Sequence, residues 1–271
     1  MIHKSYSSLL ILSLLWAVVA CTAHKQAHSP TVKVITTTGD RSKEFKTDTL
    51  ALFSADKTPN ANITLKPTEK FQTVYGFGSA ITGSTCYNLM QMSPADRKNF
   101  LIQTFSETEG FGQNFVRISI GCSDFSLSEY TLCDTKGIEH FALTQEETKY
   151  VIPILKEILA INPKVQIIGS PWTPPRWMKV NNLTDLQPYD HWTSGQLNPA
   201  LYQDYALYYA KWLQAMKDNG LNVNAITIQN EPLNRGNSAS MYMGWDEQLA
   251  FVKSALGKTL RDKGFAEVKI Y

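Results

Sequence analysis

The sequence predicts an α/β fold of βα units, a barrel cut after about its fifth strand and preceded by a short run of β-strands. Three observations predict it. From residue 71 onward, apolar runs of strand length alternate with capped helices, the signature of parallel βα units. Five such strands with four crossing helices can be read along the chain, and right-handed crossovers would curve them towards an eight-stranded barrel if the rhythm continued. The last run, Val268-Lys269-Ile270-Tyr271, is itself a strand, and folded proteins avoid leaving such an edge unprotected. Either the sheet is open and doubly wound, or these 271 residues are the front part of a longer chain. The bare edge favours the longer chain.

Taken in order, residues 1–20 read as an export signal: Lys4 supplies a positive start, and an apolar run too short for a confident membrane span follows from Leu9 to Ala20. The run ends Val18-Val19-Ala20-Cys21, which resembles the lipobox of bacterial lipoproteins, so a lipid anchor at Cys21 is expected, with a plain secretory signal as the alternative. The location expected is a bacterial cell envelope, and residues 21–30 read as a polar tether. Residues 31–70 carry short strands at 32–35, 50–53 and 63–65, too few for a core of their own.

Within residues 71–271, a glycine-containing strand falls over 74–81, and Ser93-Pro94-Ala95-Asp96 opens a helix with a cap and a proline at the first helical position. Strands follow at 115–121 and 165–169, the second after a helix that the T-x-x-E box at Thr144 opens. Asn198-Pro199 starts a helix rich in Tyr and Ala that Asn219-Gly220 stops. A strand at 225–228, a helix over 245–264 and the strand from Val268 complete the series.

Composition is that of a globular enzyme: 43% hydrophobic, 18% charged, 11% aromatic, with a net charge of +2. That balance gives no reason to expect nucleic acid as a partner. Beyond Cys21 the chain holds Cys86, Cys122 and Cys133 with no C-x-x-C, which supports neither a zinc site nor a disulfide framework. Buried thiols are expected, although Cys122 and Cys133 could pair across a loop. Two sequons, at Asn62 and Asn182, gain little weight in a bacterial lipoprotein.

The chemistry is expected where strands end, because the C-terminal ends of barrel strands converge on one face. The run A-I-T-I from Ala225 ends in Gln229-Asn230-Glu231-Pro232. Pro232 can add no ladder donor and biases Glu231 towards an extended conformation, so the acid should project above the sheet. A solvated loop glutamate is the plainer account of an isolated N-E-P. Asp124 follows the 115–121 strand and Trp172 follows the 165–169 strand. Together they offer acceptors for hydroxyls, a flat surface for a sugar ring and an acid for a glycosidic oxygen. Trp172 is read as a stacking platform, or else as a core tryptophan. Arg117, between Val116 and Ile118, must be paired: with a carboxylate near the site, or in a structural ion pair.

Four motifs in order, F-G-S-A-I-T from Phe77, F-V-R-I-S-I-G-C-S-D-F from Phe115, S-P-W-T-P-P-R-W-M-K from Ser170 and I-T-I-Q-N-E-P from Ile226, together resemble glycoside hydrolase family 30. That family includes glucosylceramidases and β-1,6-glucanases. The resemblance implies a (β/α)8 TIM barrel flanked by a β-sandwich built from both chain ends, and retaining hydrolysis of β-linked glycosides with no metal or cofactor. Carried onto matching positions, it implies Glu231 as general acid/base, Asn230 as the neighbour that binds the sugar 2-hydroxyl, Asp124 and Trp172 as glycone contacts, and Arg117 as the buried supporting cation. The family's nucleophile, a second carboxylate at the end of the seventh strand, has no counterpart in these residues, so the 271-residue piece is expected to be inactive by itself. The substrate expected is a β-linked glycoside, oligosaccharide or glycolipid, with export favouring a saccharide over a sphingolipid. A surface glycan-binding protein on a degenerate barrel, or a glycosidase for a β-glycan of another sugar, is the alternative. Binding alone would not need an acid at a strand end.

Overall fold

A computed structural model describes residues 30–51 and 65–271. The expected leader at 1–20, the lipidation site Cys21, the tether up to residue 29, the sequon at Asn62 and residues 63–64 of the strand expected over 63–65 lie outside the described residues. The chain divides into two units, residues 1–72 and 73–271.

In the first unit, β1 (Thr31–Thr36) pairs antiparallel with β2 (Lys46–Ala51), from Thr31 opposite Ala51 to Thr36 opposite Lys46. The second strand thus begins four residues before the 50–53 expected, of which residues 52 and 53 lie outside the described residues. Threonines in both strands, with Val32 and Val34 in the first, suit a pleated surface, and Asp40 closes the connecting turn by accepting from the Ser42 N–H and hydroxyl at 3.0 and 2.8 Å.

The second unit is built on parallel strands in sequence order. β3 (Gly78–Ala80), β4 (Phe115–Ser119) and β5 (Gln166–Ser170) come first. A small antiparallel pair, β6 (Lys179–Val180) with β7 (Gln196–Leu197), stands apart, and β8 (Ala225–Ile226) and β9 (Lys269–Ile270) complete the sheet. The five-stranded sheet runs β3-β4-β5-β8-β9 with every pairing parallel. Such order, each strand beside its predecessor, is that of a barrel wall rather than of a doubly wound sheet, in which the order reverses.

Three of the connecting helices follow the capping signals, at Ser93, Thr144 and Asn198. α1 (Gly83–Gln91) does not: Gly83, Ser84, Thr85 and Asn88 are weak helix formers, so nothing in the pattern marks it. It forms because Thr82 accepts from the Thr85 N–H and because Cys86 and Leu89 are buried beneath it. α2 (Pro94–Phe105) begins where Ser93 accepts from the Asp96 N–H at 3.1 Å. α3 (Ile152–Ile161) follows a π turn at Glu147–Val151, where Pro153 withholds the donor that a regular helix would use. The Thr144 box is formed: the Thr144 N–H donates to Glu147 Oε2 at 2.8 Å, and the Glu146 N–H donates to Thr144 Oγ1 at 3.2 Å.

α4 (Tyr202–Asp218), capped through Asn198, buries Tyr205, Tyr208, Tyr209, Trp212 and Met216 against the sheet. Gly169 in β5 makes that approach possible, since a Cβ there would stand 2.4 Å from Trp212 Cη2. The helix expected over 245–264 is α5 (Trp245–Phe251), a π turn at Val252–Leu256 and α6 (Gly257–Asp262). Cys86, Cys122 and Cys133 are free, buried thiols, so the possible Cys122–Cys133 bridge is not formed. Burial pushes the first two up to about 12 and Cys133 up to about 11.

Candidate active site

The site begins with the side-chain alternation of β4. Val116 and Ile118 are buried at 1% and 2%, so Arg117 projects from the opposite face of the strand. In β5, Gly169 meets α4 through Trp212, which turns Ser170 towards Arg117's side of the sheet. Beyond β8 the Thr227 N–H still donates to the Gly169 carbonyl at 2.9 Å, and Thr227 falls in line with Ser170. A row therefore crosses three strands: Arg117 Nη2 donates to Ser170 Oγ at 2.8 Å, and the Ser170 and Thr227 hydroxyls lie 2.6 Å apart.

The same Arg117 Nη2 donates to Asn230 Oδ1 at 2.8 Å, and the guanidinium lies 4.6 Å from the centre of the Trp172 ring. This corrects the expected partner. Arg117 is held by a hydroxyl, an amide and an aromatic face, not by a carboxylate in either of the two ways expected. Burial pulls the guanidinium below the usual arginine range, and the charges of Asp124 and Glu231 oppose that pull, so both acids lie within its field. A cation committed to neutral partners fixes the Asn230 amide: its oxygen is taken, and its Nδ2 is left to donate elsewhere.

Trp172 is 7% exposed. Its ring belongs to the packed floor under Arg117, and only a small area is left for the stacking that the sequence led us to expect. The residue is held from below, since Gln229 Nε2 donates to the Trp172 carbonyl at 2.6 Å and the Asn230 N–H donates to the Pro171 carbonyl at 2.8 Å.

Glu231 is exposed at the end of this ladder, clear of the packed interior. Its backbone corrects a second expectation. φ is +43°, in the left-handed region rather than the extended one. A non-glycine residue there costs about 1–3 kcal/mol and persists only where its surroundings impose it. They do so here: the Asn230 N–H is tied to Pro171, and the Asn234 N–H closes a turn onto the Glu231 carbonyl at 2.8 Å. The chain reverses at the acid itself. The amides of Asn234 and Asn237 then donate to Glu231 Oε2 at 2.8 and 3.1 Å, leaving Oε1 the freer oxygen.

Asp124 is exposed on the loop after β4. That loop is anchored from beneath, where the Leu127 N–H donates to Glu146 Oε2 at 3.1 Å, the Phe125 N–H to Ser123 Oγ at 3.1 Å and the Ser84 N–H to the Phe125 carbonyl at 3.0 Å. Glu146 is buried, which raises its carboxyl above the usual glutamate range. Asn230, Arg117 and Trp172 are thus in direct contact, and Asp124 and Glu231 act on the same guanidinium through space. Ser170, Thr227, Asn234 and Asn237 also belong to the site. The first two stand inside quoted motifs but become visible only once strand register is known, and no sequence signal marks the last two. No group of His, Cys, Asp and Glu among the described residues is arranged to hold a metal ion.

Residues 74–271 match the model of a family described as "Glycosyl hydrolase family 30 TIM-barrel domain". Among solved structures, an endo-β1,6-glucanase superposes with a TM-score of 0.81 at 58% identity, covering 88% of this chain and 52% of its own. The lysosomal acid glucosylceramidase of Mus musculus is 32% identical over 211 residues, which is 73% of this chain and 39% of that protein. An endo-1,6-β-D-glucanase of Neurospora crassa is 32% identical over 226 residues, 79% of this chain and 46% of that protein. The chain spans about half the length of the relatives it matches.

Proposed function

This chain belongs to glycosyl hydrolase family 30, and from that premise we propose that the whole protein is a retaining β-glycosidase acting on β-1,6-linked glucan, with Glu231 as its general acid/base. The observation that carries the reading is the pairing at the end of β8: an exposed carboxylic acid beside an amide whose oxygen is locked by Arg117. In the first step the Glu231 carboxyl gives its proton to the departing glycosidic oxygen as a nucleophilic carboxylate attacks the anomeric carbon, and in the second the Glu231 carboxylate takes a proton from the water that releases the sugar. The nucleophile is assigned to a later strand of the whole barrel, about 5–5.5 Å from the acid/base as retention requires. Residues 1–271 alone would accordingly bind without turnover.

Asn230 Nδ2, free to donate, is assigned to the sugar 2-hydroxyl, and Asp124 to a glycone hydroxyl. Arg117 holds Asn230, and Trp172 contributes the apolar floor on which Arg117 lies. The 58% identity to an endo-β1,6-glucanase, against 32% to a glucosylceramidase, supports a glucan over a glycolipid. The apolar leader over residues 1–20, followed directly by Cys21, supports export and lipid anchoring in a bacterial envelope. Incubation of the purified whole protein with β-1,6-glucan and with glucosylceramide tests the reading: release of gentio-oligosaccharides is expected, and Glu231→Gln should lower kcat by about 10²–10⁴. An inert wild type, or a glutamine variant that keeps its rate, would defeat it.

A further inference from the structure

Outside the half-buried Arg117 cluster, another cation is fully buried. Lys179, at the start of β6, is 2% exposed. Its Nζ donates to the carbonyls of His191 and Ser240 at 2.9 Å each, and contacts the Trp192 carbonyl and Thr173 Oγ1 at 3.3 Å. An ammonium has three hydrogens to share among these four oxygens, and a neutral amine has two.

The four oxygens belong to three stretches of chain that meet above the sheet. Thr173 follows Trp172, His191 and Trp192 lie in the connector between β6 and β7, and Ser240 lies in the loop that leaves Glu231. Connector and loop are stitched together around Nζ. The Ser240 N–H donates to the Trp192 carbonyl at 3.0 Å, the Ser194 N–H to Ser240 Oγ at 2.9 Å and the Tyr242 N–H to the Gly195 carbonyl at 3.0 Å. The loop closes at its base, where the Met243 N–H donates to the Pro232 carbonyl at 2.7 Å. Glu231 sits in this loop, with its carboxylate held by Asn234 and Asn237 of the same segment. Whatever anchors the loop aims the acid.

We propose that Lys179 is a positioning residue for the proton donor, its ammonium pinning the Glu231 loop to the connector and to the Trp172 stretch. The proposal rests on the reading of Glu231 as acid/base. The groups facing Nζ are the Arg176 guanidinium and the Cys122 thiol, which act on its charge, the Tyr189 ring, 5.8 Å from Nζ, and His191 through its carbonyl. Burial is the largest influence and, with Arg176 adding repulsion, pulls the ammonium down to about 7, while the ring of oxygens favours the charged form. The pin is therefore set below about pH 7 and loosens above it.

Lys179→Met in the whole protein tests this. The variant should lose at least about tenfold in kcat with KM nearly unchanged, the pattern of a misaimed group rather than a lost substrate contact. Its Ser240 and Tyr242 amides should lose hydrogen-exchange protection while those of α4 keep theirs. A folded variant with kcat within twofold of wild type, or with the loop equally protected, overturns the proposal. Should the variant not fold, the wild type serves: protection at Ser240 and Tyr242 should fall as pH rises from 6 to 9, and protection unchanged over that range overturns the proposal. Exchange needs no substrate, so a wild type without activity would sink the reading of Glu231 while leaving the pin under test.

Discussion

Removing the Arg117 guanidinium while keeping its stem should uncouple Asn230 from the sheet. In Arg117→Met the losses are two bonds from Nη2, to Ser170 Oγ and Asn230 Oδ1 at 2.8 Å each, and the face-on contact with Trp172 at 4.6 Å. A hydrogen bond with one ionised partner contributes about 1.5–3 kcal/mol, and a cation over an aromatic face about 0.5–2 kcal/mol. Two effects reduce that sum. Ser170 keeps its contact with Thr227 at 2.6 Å, so only Asn230 Oδ1 is deprived of its partner. A half-buried cation is also removed, which relieves its desolvation. We expect a net loss of about 2–3 kcal/mol in urea unfolding, dominated by the deprived amide. The amide would then rotate freely, and a displacement of about 1 Å at a reacting group costs about 10²-fold in rate. Paired with Asn230→Ala in a double-mutant cycle, Arg117→Met should show a coupling of at least about 1 kcal/mol, since residues in direct contact do not add. Additivity within about 0.5 kcal/mol would refute the claim that this guanidinium holds this amide.

Other outcomes follow from the packing and from the buried acid. Gly169→Ala would drive a Cβ to 2.4 Å from Trp212 Cη2 and 2.7 Å from Cζ3, and thermal unfolding should report a loss of about 1–3 kcal/mol from overpacking. Glu146 has its carboxyl raised above the usual glutamate value of 4.5 by burial. Its folded form holds the proton more tightly, so its contribution to stability is present below pH 4.5 and is lost as pH rises through the raised value. Glu146→Gln should therefore gain on wild type as pH climbs from 4.5 towards neutrality, and a difference independent of pH would contradict this. The thiols of Cys86, Cys122 and Cys133, buried and pushed upward, should react with a maleimide at pH 7 only after unfolding, as mass spectrometry would show.

How far the sequence carries depends on whether a feature is local. Capping signals are local, and the starts of α2, α3 and α4 were legible because Ser93, Thr144 and Asn198 announce them. The strand ends carrying Asp124, Trp172 and Asn230 were legible too, since an apolar run that stops marks the edge of a sheet. Register is not local. Arg117, Ser170 and Thr227 align only after three strands pair, so a rule that a buried arginine needs a partner led to a carboxylate when the partners were a hydroxyl and an amide. The φ of Glu231 was misjudged for a similar reason: the preference set by a following proline yielded to hydrogen bonds at Pro171 and Asn234. Lys179 ends the motif that starts at Ser170, but nothing in the sequence gives it a role. Its partners come from the folded positions of residues 173, 191, 192 and 240.

Azide rescue tests proton transfer by Glu231 most directly. In Glu231→Ala of the whole protein, an aryl β-glucoside with a good leaving group should still glycosylate the enzyme but stall at release, because no base remains to activate water. Azide, which needs no base, should then restore turnover and yield the β-glucosyl azide. No rescue, or an α-azide, would contradict the assignment.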